Sequence, residues 1–147
     1  MKYPEWLRSA RSEFNFKTVS EFEKDDEPSI YLIHFGAPVR QIEEELDAGV
    51  KATCFVNLDD KVNNITLYSR LQNDGWEIGY DPRISSNPIT FNGELTYLRQ
   101  FFDINHYWCE RSYTPELNNA FFSMRDHIED ILNPSNSTSQ VLIVGNV

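Results

Sequence analysis

Cysteine and glycine are both scarce in this chain of 147 residues. Two cysteines, Cys54 and Cys109, are too few for a disulfide framework, and neither has the neighbouring Cys or His of a zinc motif. Both lie in apolar runs, so we expect buried free thiols. Six glycines leave little for phosphate cradling, and neither a Walker loop nor a dinucleotide-binding fingerprint occurs.

Long hydrophobic runs are absent as well. The longest apolar runs, such as Val141–Val144, are far shorter than the roughly 20 residues that span a bilayer. The N-terminus, Met1–Trp6, lacks the apolar stretch of a secretory leader. We therefore expect a soluble, cytoplasmic protein that does not bind membranes.

Positively charged residues are also few. The chain has 13 Lys and Arg residues and 23 Asp and Glu residues, which give a net charge of −10. Proteins that bind nucleic acid neutralise phosphates with Lys and Arg, so this balance excludes a general nucleic-acid binder. It suits an acidic interaction protein, for example an inhibitor or immunity-type partner of a basic protein. A hydrophobic content of 40% and an aromatic content of 14% predict one folded domain.

Short apolar runs alternate with amphipathic helical patterns from Ser29 onward, which is typical of βαβ units. The predicted strands are Ile30–Phe35, Val50–Val56, Trp76–Tyr80, Ile104–Cys109 and Val141–Val144. The predicted helices between them are Ala37–Ala48, a helix through Val62–Leu71, one through Leu95–Phe102, and Thr114–Leu132. These patterns predict an α/β fold of five mainly parallel strands, as a partial (β/α) barrel or an open sheet. Residues 1–28, with a short helix at Pro4–Phe14, are predicted to be a peripheral segment, and residues 29–147 a single domain.

Polar side chains follow the predicted strands, and the carboxyl ends of parallel strands are where such folds bind ligands. The candidate binding residues are His34, Asn57, Asp81, Arg83, Glu110 and Arg111. Among them, His34, Asp81 and Glu110 are candidate metal ligands, with one nitrogen and two carboxylates. His34 lies in a nearly all-apolar strand, so the alternative is a core histidine whose nitrogens are hydrogen-bonded.

Aromatic residues gather in the second half of the chain. They are Phe91, Tyr97, Phe101, Phe102, Tyr107, Trp108 and Tyr113. Most of them fit a core, and the alternative is a platform on which a sugar stacks, because aromatic faces complement the apolar faces of pyranose rings.

Two segments carry the pattern of a known family. Gly49–Val56 reads Gly-Val-Lys-Ala-Thr-Cys-Phe-Val, and Leu71–Asp81 ends in Gly-Trp-Glu-Ile-Gly-Tyr-Asp. They resemble the core of polysaccharide deacetylases of carbohydrate esterase family 4, whose strand of the form Gly-Val-x-Ala-Thr-Phe-Phe-Val precedes a helix and Gly-His-Glu-Ile-Gly-x-His. Glu94–Trp108 is similar to a further segment of some members, and the resemblance spans Tyr31–Val147.

The resemblance implies a distorted, incomplete (β/α) barrel in which an Asp and two His hold a divalent metal, usually zinc. A metal-bound water then attacks the N-acetyl carbonyl of a glycan, with another Asp as base and a late His as acid. Such hydrolysis needs ligands that lower the pKa of the bound water and an open coordination position.

This chain departs from the family at each catalytic position. The Asp-Asp motif falls on His34–Ala37, which contains no carboxylate. Asp81 stands where the first histidine ligand belongs and Ser85 at the second, while the late histidine falls on Gly145 or Asn146.

The resemblance therefore implies a catalytically impaired deacetylase-like domain with a carbohydrate-binding or regulatory role, for which we expect no cofactor. An active form would be a zinc-dependent carbohydrate N-deacetylase with an altered ligand set. The acidic protein that binds a basic partner remains the alternative from another class.

Overall fold

The computed structural model of the chain describes residues 2–22, 29–36, 39–81, 88–107 and 140–143. Helices and strands alternate through these ranges. They are α1 Tyr3–Glu13, β1 Asn15–Phe16, β2 Ser29–Phe35, α2 Val39–Ala48, β3 Thr53–Val56, α3 Leu58–Asn73, β4 Glu77–Tyr80, α4 Pro88–Leu98 and β5 Gln140–Ile143, with a short 3₁₀ helix at Val19–Glu21. Within the described ranges, no helix has both the length and the apolar character needed to cross a membrane.

Every strand pair in the described sheet is parallel, with β2 at its centre. Ile33 pairs with Thr53 of β3 and with Ile143 of β5, so these two strands flank opposite sides of β2. The two-residue strand β1 pairs with the start of β2, and β4 pairs with β3. The α/β class with a parallel sheet, predicted from the sequence, is confirmed.

The predicted set of strands differs from the observed one at two places. Of the predicted strand Ile104–Cys109, the described part contributes only an isolated parallel bridge from Tyr107 to Tyr80. Residues 108 and 109, like the predicted helix Thr114–Leu132, lie outside the described residues. The strand β1 was not predicted, because two residues are too short to show an alternating pattern.

One face of the sheet contacts helices. The side chains of His34 and Tyr80 project from this face, where His34 contacts Glu45 of α2 and Tyr80 contacts Glu94 of α4. Since side chains alternate along a strand, the neighbours of His34 and Tyr80 point the other way. Tyr80, the last residue of β4, therefore lies beside α4, and His34, near the end of β2, lies beside α2.

The opposite face is crossed by the segment after β1. The N–H of Val19 donates to Thr53 Oγ1 at 3.0 Å, and the ring of Phe22 lies 5.8 Å from that of Tyr31. Leu7 and Val19 are fully buried in the same hydrophobic core as the strands. Residues 3–22 therefore contribute side chains to the core, whereas the sequence predicted a peripheral segment. Single buried apolar side chains outside a long periodic run leave no pattern in the sequence from which their burial could be predicted.

Candidate functional site

The carboxyl ends of β3 and β4 lie side by side. Val56 and Tyr80 form the last pair of this parallel ladder, and the N–H of Asp81 donates to the carbonyl of Val56 at 2.9 Å. Asn57 follows β3 directly and is half-buried. We call these strand ends the carboxyl edge, and ligands bind at the equivalent edge in parallel α/β folds.

Helix α4 brings a carboxylate to the carboxyl edge. Leu95 and Leu98 are buried and fix the helix against the core, while the adjacent Glu94 is half-buried. The hydroxyl of Tyr80 donates to Glu94 Oε2 at 2.5 Å. Among the described residues Tyr80 is the sole hydrogen-bond partner of Glu94, so Oε1 can accept a hydrogen bond from a ligand.

The electrostatics of this edge are negative. Burial raises the pKa of Tyr80 far above its usual value, and the hydrogen bond to Glu94 and the charges of Glu94 and Asp81 raise it further. Asp81 is itself buried, with 4% of its surface exposed. The phenol therefore stays protonated and remains a donor to Glu94.

Two aromatic rings lie on the surface beyond Glu94. Tyr97 and Phe101 follow Glu94 by three and seven residues, and each has 39% of its surface exposed. Their ring centroids are 5.6 Å apart at an angle of 62°. By contrast, Phe102 and Tyr107 are buried, so the structure divides the predicted aromatic cluster into core residues and an exposed pair.

His34 does not join the carboxyl edge. Its side chain is fully buried, and its Nε2 lies 2.7 Å from Glu45 Oε1 on the helix-covered face. Its ring also stacks on Trp76, with centroids 6.1 Å apart. These contacts are those of a core histidine, the alternative that the sequence left open.

The remaining predicted site residues, Arg83, Glu110 and Arg111, lie outside the described residues. Glu110 is among these residues, so the metal-ligand set His34, Asp81 and Glu110 stays a prediction. In the ranges that the structure describes, no group of three or more His, Cys, Asp or Glu side chains is arranged to hold a metal ion.

We found no match to this chain among protein-family models, curated proteins or solved structures. The family resemblance therefore depends on the quoted segments, which contain β3, the end of α3, β4 and the first residue after β4.

Glu94 was not predicted as a site residue from the sequence. Its role arises from the packing of α4 against β4, two elements whose contact no local pattern encodes. The one local signal was the spacing of Glu94 and Tyr97, which are three residues apart and so lie on the same side of α4.

A second polar cluster lies at the opposite, amino-terminal ends of the strands. His106 Nδ1 contacts Glu77, and the N–H of Ser20 donates to Glu77 Oε1 at 2.7 Å. Ser20 Oγ lies 3.1 Å from the same Nδ1 atom. A catalytic relay needs serine and carboxylate on different ring nitrogens, so this arrangement fastens the N-terminal segment to the sheet rather than activating Ser20.

Proposed function

We propose that the chain is a polysaccharide deacetylase-like domain that binds carbohydrate at its carboxyl edge without deacetylating it. Two features of the fold support the kinship. The two segments of the resemblance form the adjacent parallel strands β3 and β4 with α3 between them. In addition, β2, β3, β4 and the bridge at Tyr107 follow one another in chain order, as successive β/α units of a barrel do.

The proposed loss of deacetylation follows from the donors at the carboxyl edge. Tyr80, Asp81 and Glu94 supply only oxygen atoms, and the histidine of β2 is bound to Glu45 inside the fold. Catalytic zinc sites combine histidine nitrogen with an open coordination position. Without a general acid and base, hydrolysis also lacks assistance of about 10²- to 10⁴-fold for each proton transfer.

The observation that carries the binding role is the Tyr80–Glu94 hydrogen bond beside Asp81, with the exposed ring of Tyr97 on the same helix and that of Phe101 in the turn after it. A carboxylate oxygen held in place by Tyr80 can accept hydrogen bonds from sugar hydroxyls. Tyr97 and Phe101 offer ring faces and edges against which the C–H groups of a pyranose can pack. The combination of directional acceptors and exposed aromatic rings is suited to a neutral, hydroxyl-rich ligand.

Calorimetric titration of the full chain with N-acetylglucosamine oligosaccharides tests the proposal. We expect Glu94→Gln and Tyr97→Ala each to weaken binding by about tenfold, the loss of a charge-assisted hydrogen bond or of a stacking contact. The matched controls are Glu43→Gln, an exposed glutamate on α2, and Thr96→Ala, an exposed residue next to Tyr97 on α4. Neither control should change the affinity.

Two results would defeat this proposal. One is the absence of saturable binding to any N-acetylated oligosaccharide. The other is acetate release by the chain in the presence of Zn²⁺, if the Asp81→Ala variant no longer releases acetate. The second result would establish the active, zinc-dependent alternative instead.

The acidic interaction protein remains a second proposal, based on the net charge of −10. Three of the acidic side chains, Glu45, Glu77 and Asp81, are buried, so their charge serves contacts inside the fold. For this reason we favour the carbohydrate-binding role. The affinity for a basic partner would fall steeply as the salt concentration rises, whereas the affinity for a neutral sugar would not.

A further inference from the structure

A cleft of about 320 Å³ lies on the side of the sheet away from the carboxyl edge. It is bounded by the last turn of α1, β1, the connection from α2 to β3 and the end of α3. These segments precede strands, so the cleft lies at their amino-terminal ends. Its volume is at the lower limit of small-molecule pockets, which measure roughly 300–1,000 Å³.

Arg11, an exposed residue of α1, lines one wall of this cleft. Its Nη1 donates to the carbonyl of Ala48 at 3.0 Å, where α2 ends. The guanidinium group also lies close to Gly49. A Cβ atom added to Gly49 would be 2.7 Å from Nη1 and 3.0 Å from Cζ of Arg11. Gly49 has φ +75°, so glycine satisfies both the turn and the close approach of Arg11.

Among the described residues, most of the N–H donors of the Arg11 guanidinium have no acceptor. Among the described residues, Ala48 O is the one acceptor that Arg11 contacts, and a guanidinium has five N–H donors. The hydrogen bond to Ala48 orients the side chain, and the planar guanidinium presents its donors in a fixed geometry, so less rotamer entropy is lost for each hydrogen bond to a carboxylate or phosphate.

A second cation and an apolar wall complete the cleft. Lys51 lines the cleft, and its Nζ lies 2.7 Å from Glu21 Oε1. Asp74 is the one acidic residue of the lining, and its Oδ2 lies 3.9 Å from Arg70 Nε. Phe16 and Val50 supply buried apolar surface. The lining therefore carries two positive charges and one negative charge in a chain whose net charge is −10.

We propose that this cleft binds a small organic anion, whose carboxylate or phosphate group pairs with the guanidinium of Arg11 and whose apolar part packs on Phe16 and Val50. A planar guanidinium binds both anions through two parallel hydrogen bonds. The site is independent of the carbohydrate site, since the two occupy opposite ends of the strands and share no residue.

NMR titration of the full chain with benzoate and with phenyl phosphate tests this inference, with benzamide as the neutral analogue of benzoate. We expect saturable shifts of the Gly49 and Lys51 amide signals with at least one anion and none with benzamide. The anion that binds more tightly identifies the charged group. No saturable shift with either anion, or equal binding of benzamide, would overturn the proposal.

Variants separate a built site from general charge attraction. Arg11→Gln should weaken binding of the preferred anion by about tenfold or more, as loss of a charge-assisted pair does. Arg8→Gln makes the same charge change at an exposed position of α1 and should leave the affinity unchanged. Equal weakening by both variants contradicts the inference.

Arg11→Lys provides a second test should Arg11→Gln fold poorly. It keeps the charge and loses the planar pair of donors, so we expect weaker binding than in the unsubstituted chain. Unchanged affinity in Arg11→Lys would overturn the assigned role of the guanidinium. Glu94→Gln, at the carbohydrate site, should leave anion binding intact.

Discussion

His34 Nε2 lies 2.7 Å from Glu45 Oε1, and neither side chain is exposed to solvent. The second oxygen of Glu45 accepts a hydrogen bond from the hydroxyl of Tyr3 at 2.9 Å. One buried carboxylate thus connects α1, α2 and the central strand β2. This connection explains how a histidine is accommodated in a strand that otherwise consists almost wholly of apolar residues.

Glu45→Ala should lower the free energy of unfolding by at least about 2 kcal/mol, because it removes an acceptor from two donors inside the protein. Glu43→Ala changes an exposed glutamate on the same helix and should cost within about 0.5 kcal/mol. Denaturant unfolding of the two variants measures the difference. Equal costs would mean that Glu45 contributes only helix propensity.

Thr53→Val should destabilise the protein by about 1–3 kcal/mol, since the isosteric side chain leaves the buried N–H of Val19 without its acceptor. Thr96→Val makes the same change at an exposed position and is the control. Hydrogen exchange should show the Val19 amide losing protection in Thr53→Val alone. Protection that persists would contradict the fastening of the N-terminal segment to β3.

Tyr3 and Tyr80 should remain protonated in the folded chain at pH values where ordinary tyrosines ionise. Burial is the largest cause in both, and the carboxylates of Glu45 and Glu94 raise the pKa of Tyr3 and Tyr80 further. Unfolded tyrosine ionises near roughly pH 10, so this stabilisation is complete below that pH. It is lost as the pH rises towards the higher folded-state pKa.

Tyrosinate absorbance in native and denatured protein measures this difference. We expect at least two of the seven tyrosines to ionise only when the chain unfolds. Tyr80→Phe should reduce the alkaline loss of stability. Titration of all tyrosines together while the fold persists would refute the assignment.

Cys54 should be unreactive towards thiol reagents until the protein unfolds. It is fully buried, and burial together with the nearby charge of Glu45 raises the pKa of its thiol. In a Cys109→Ser variant, Cys54 is the one remaining thiol, so labelling reports on it alone. Fast labelling under native conditions would show that β3 is not the buried strand described above.

Periodicity predicted the elements whose pattern is local. The strand β2 and the helix α2 fall within two residues of their predicted bounds, because a continuous apolar run and an amphipathic repeat each specify one element. The strand β1 was not predicted, because Asn15 and Phe16 are extended only through their pairing with β2. The predicted strand at Ile104–Cys109 is represented in the described residues by Tyr107 alone.

The candidate site was less predictable because it depends on contacts between elements. Asp81 was predicted as a strand-end residue from its place in the chain, and it follows β4. The burial of His34 against Glu45 and the contact of Glu94 with Tyr80 both require the helices to be docked. No spacing within a single segment contains that information.

The carbohydrate-binding role is tested most directly by amide-resolved NMR titration with a short N-acetylglucosamine oligosaccharide. The proposed function predicts saturable shifts at Tyr80, Asp81 and the Glu94–Phe101 segment, with no change in the sugar itself. Absence of saturable shifts, or shifts confined to the Arg11 cleft, would contradict it.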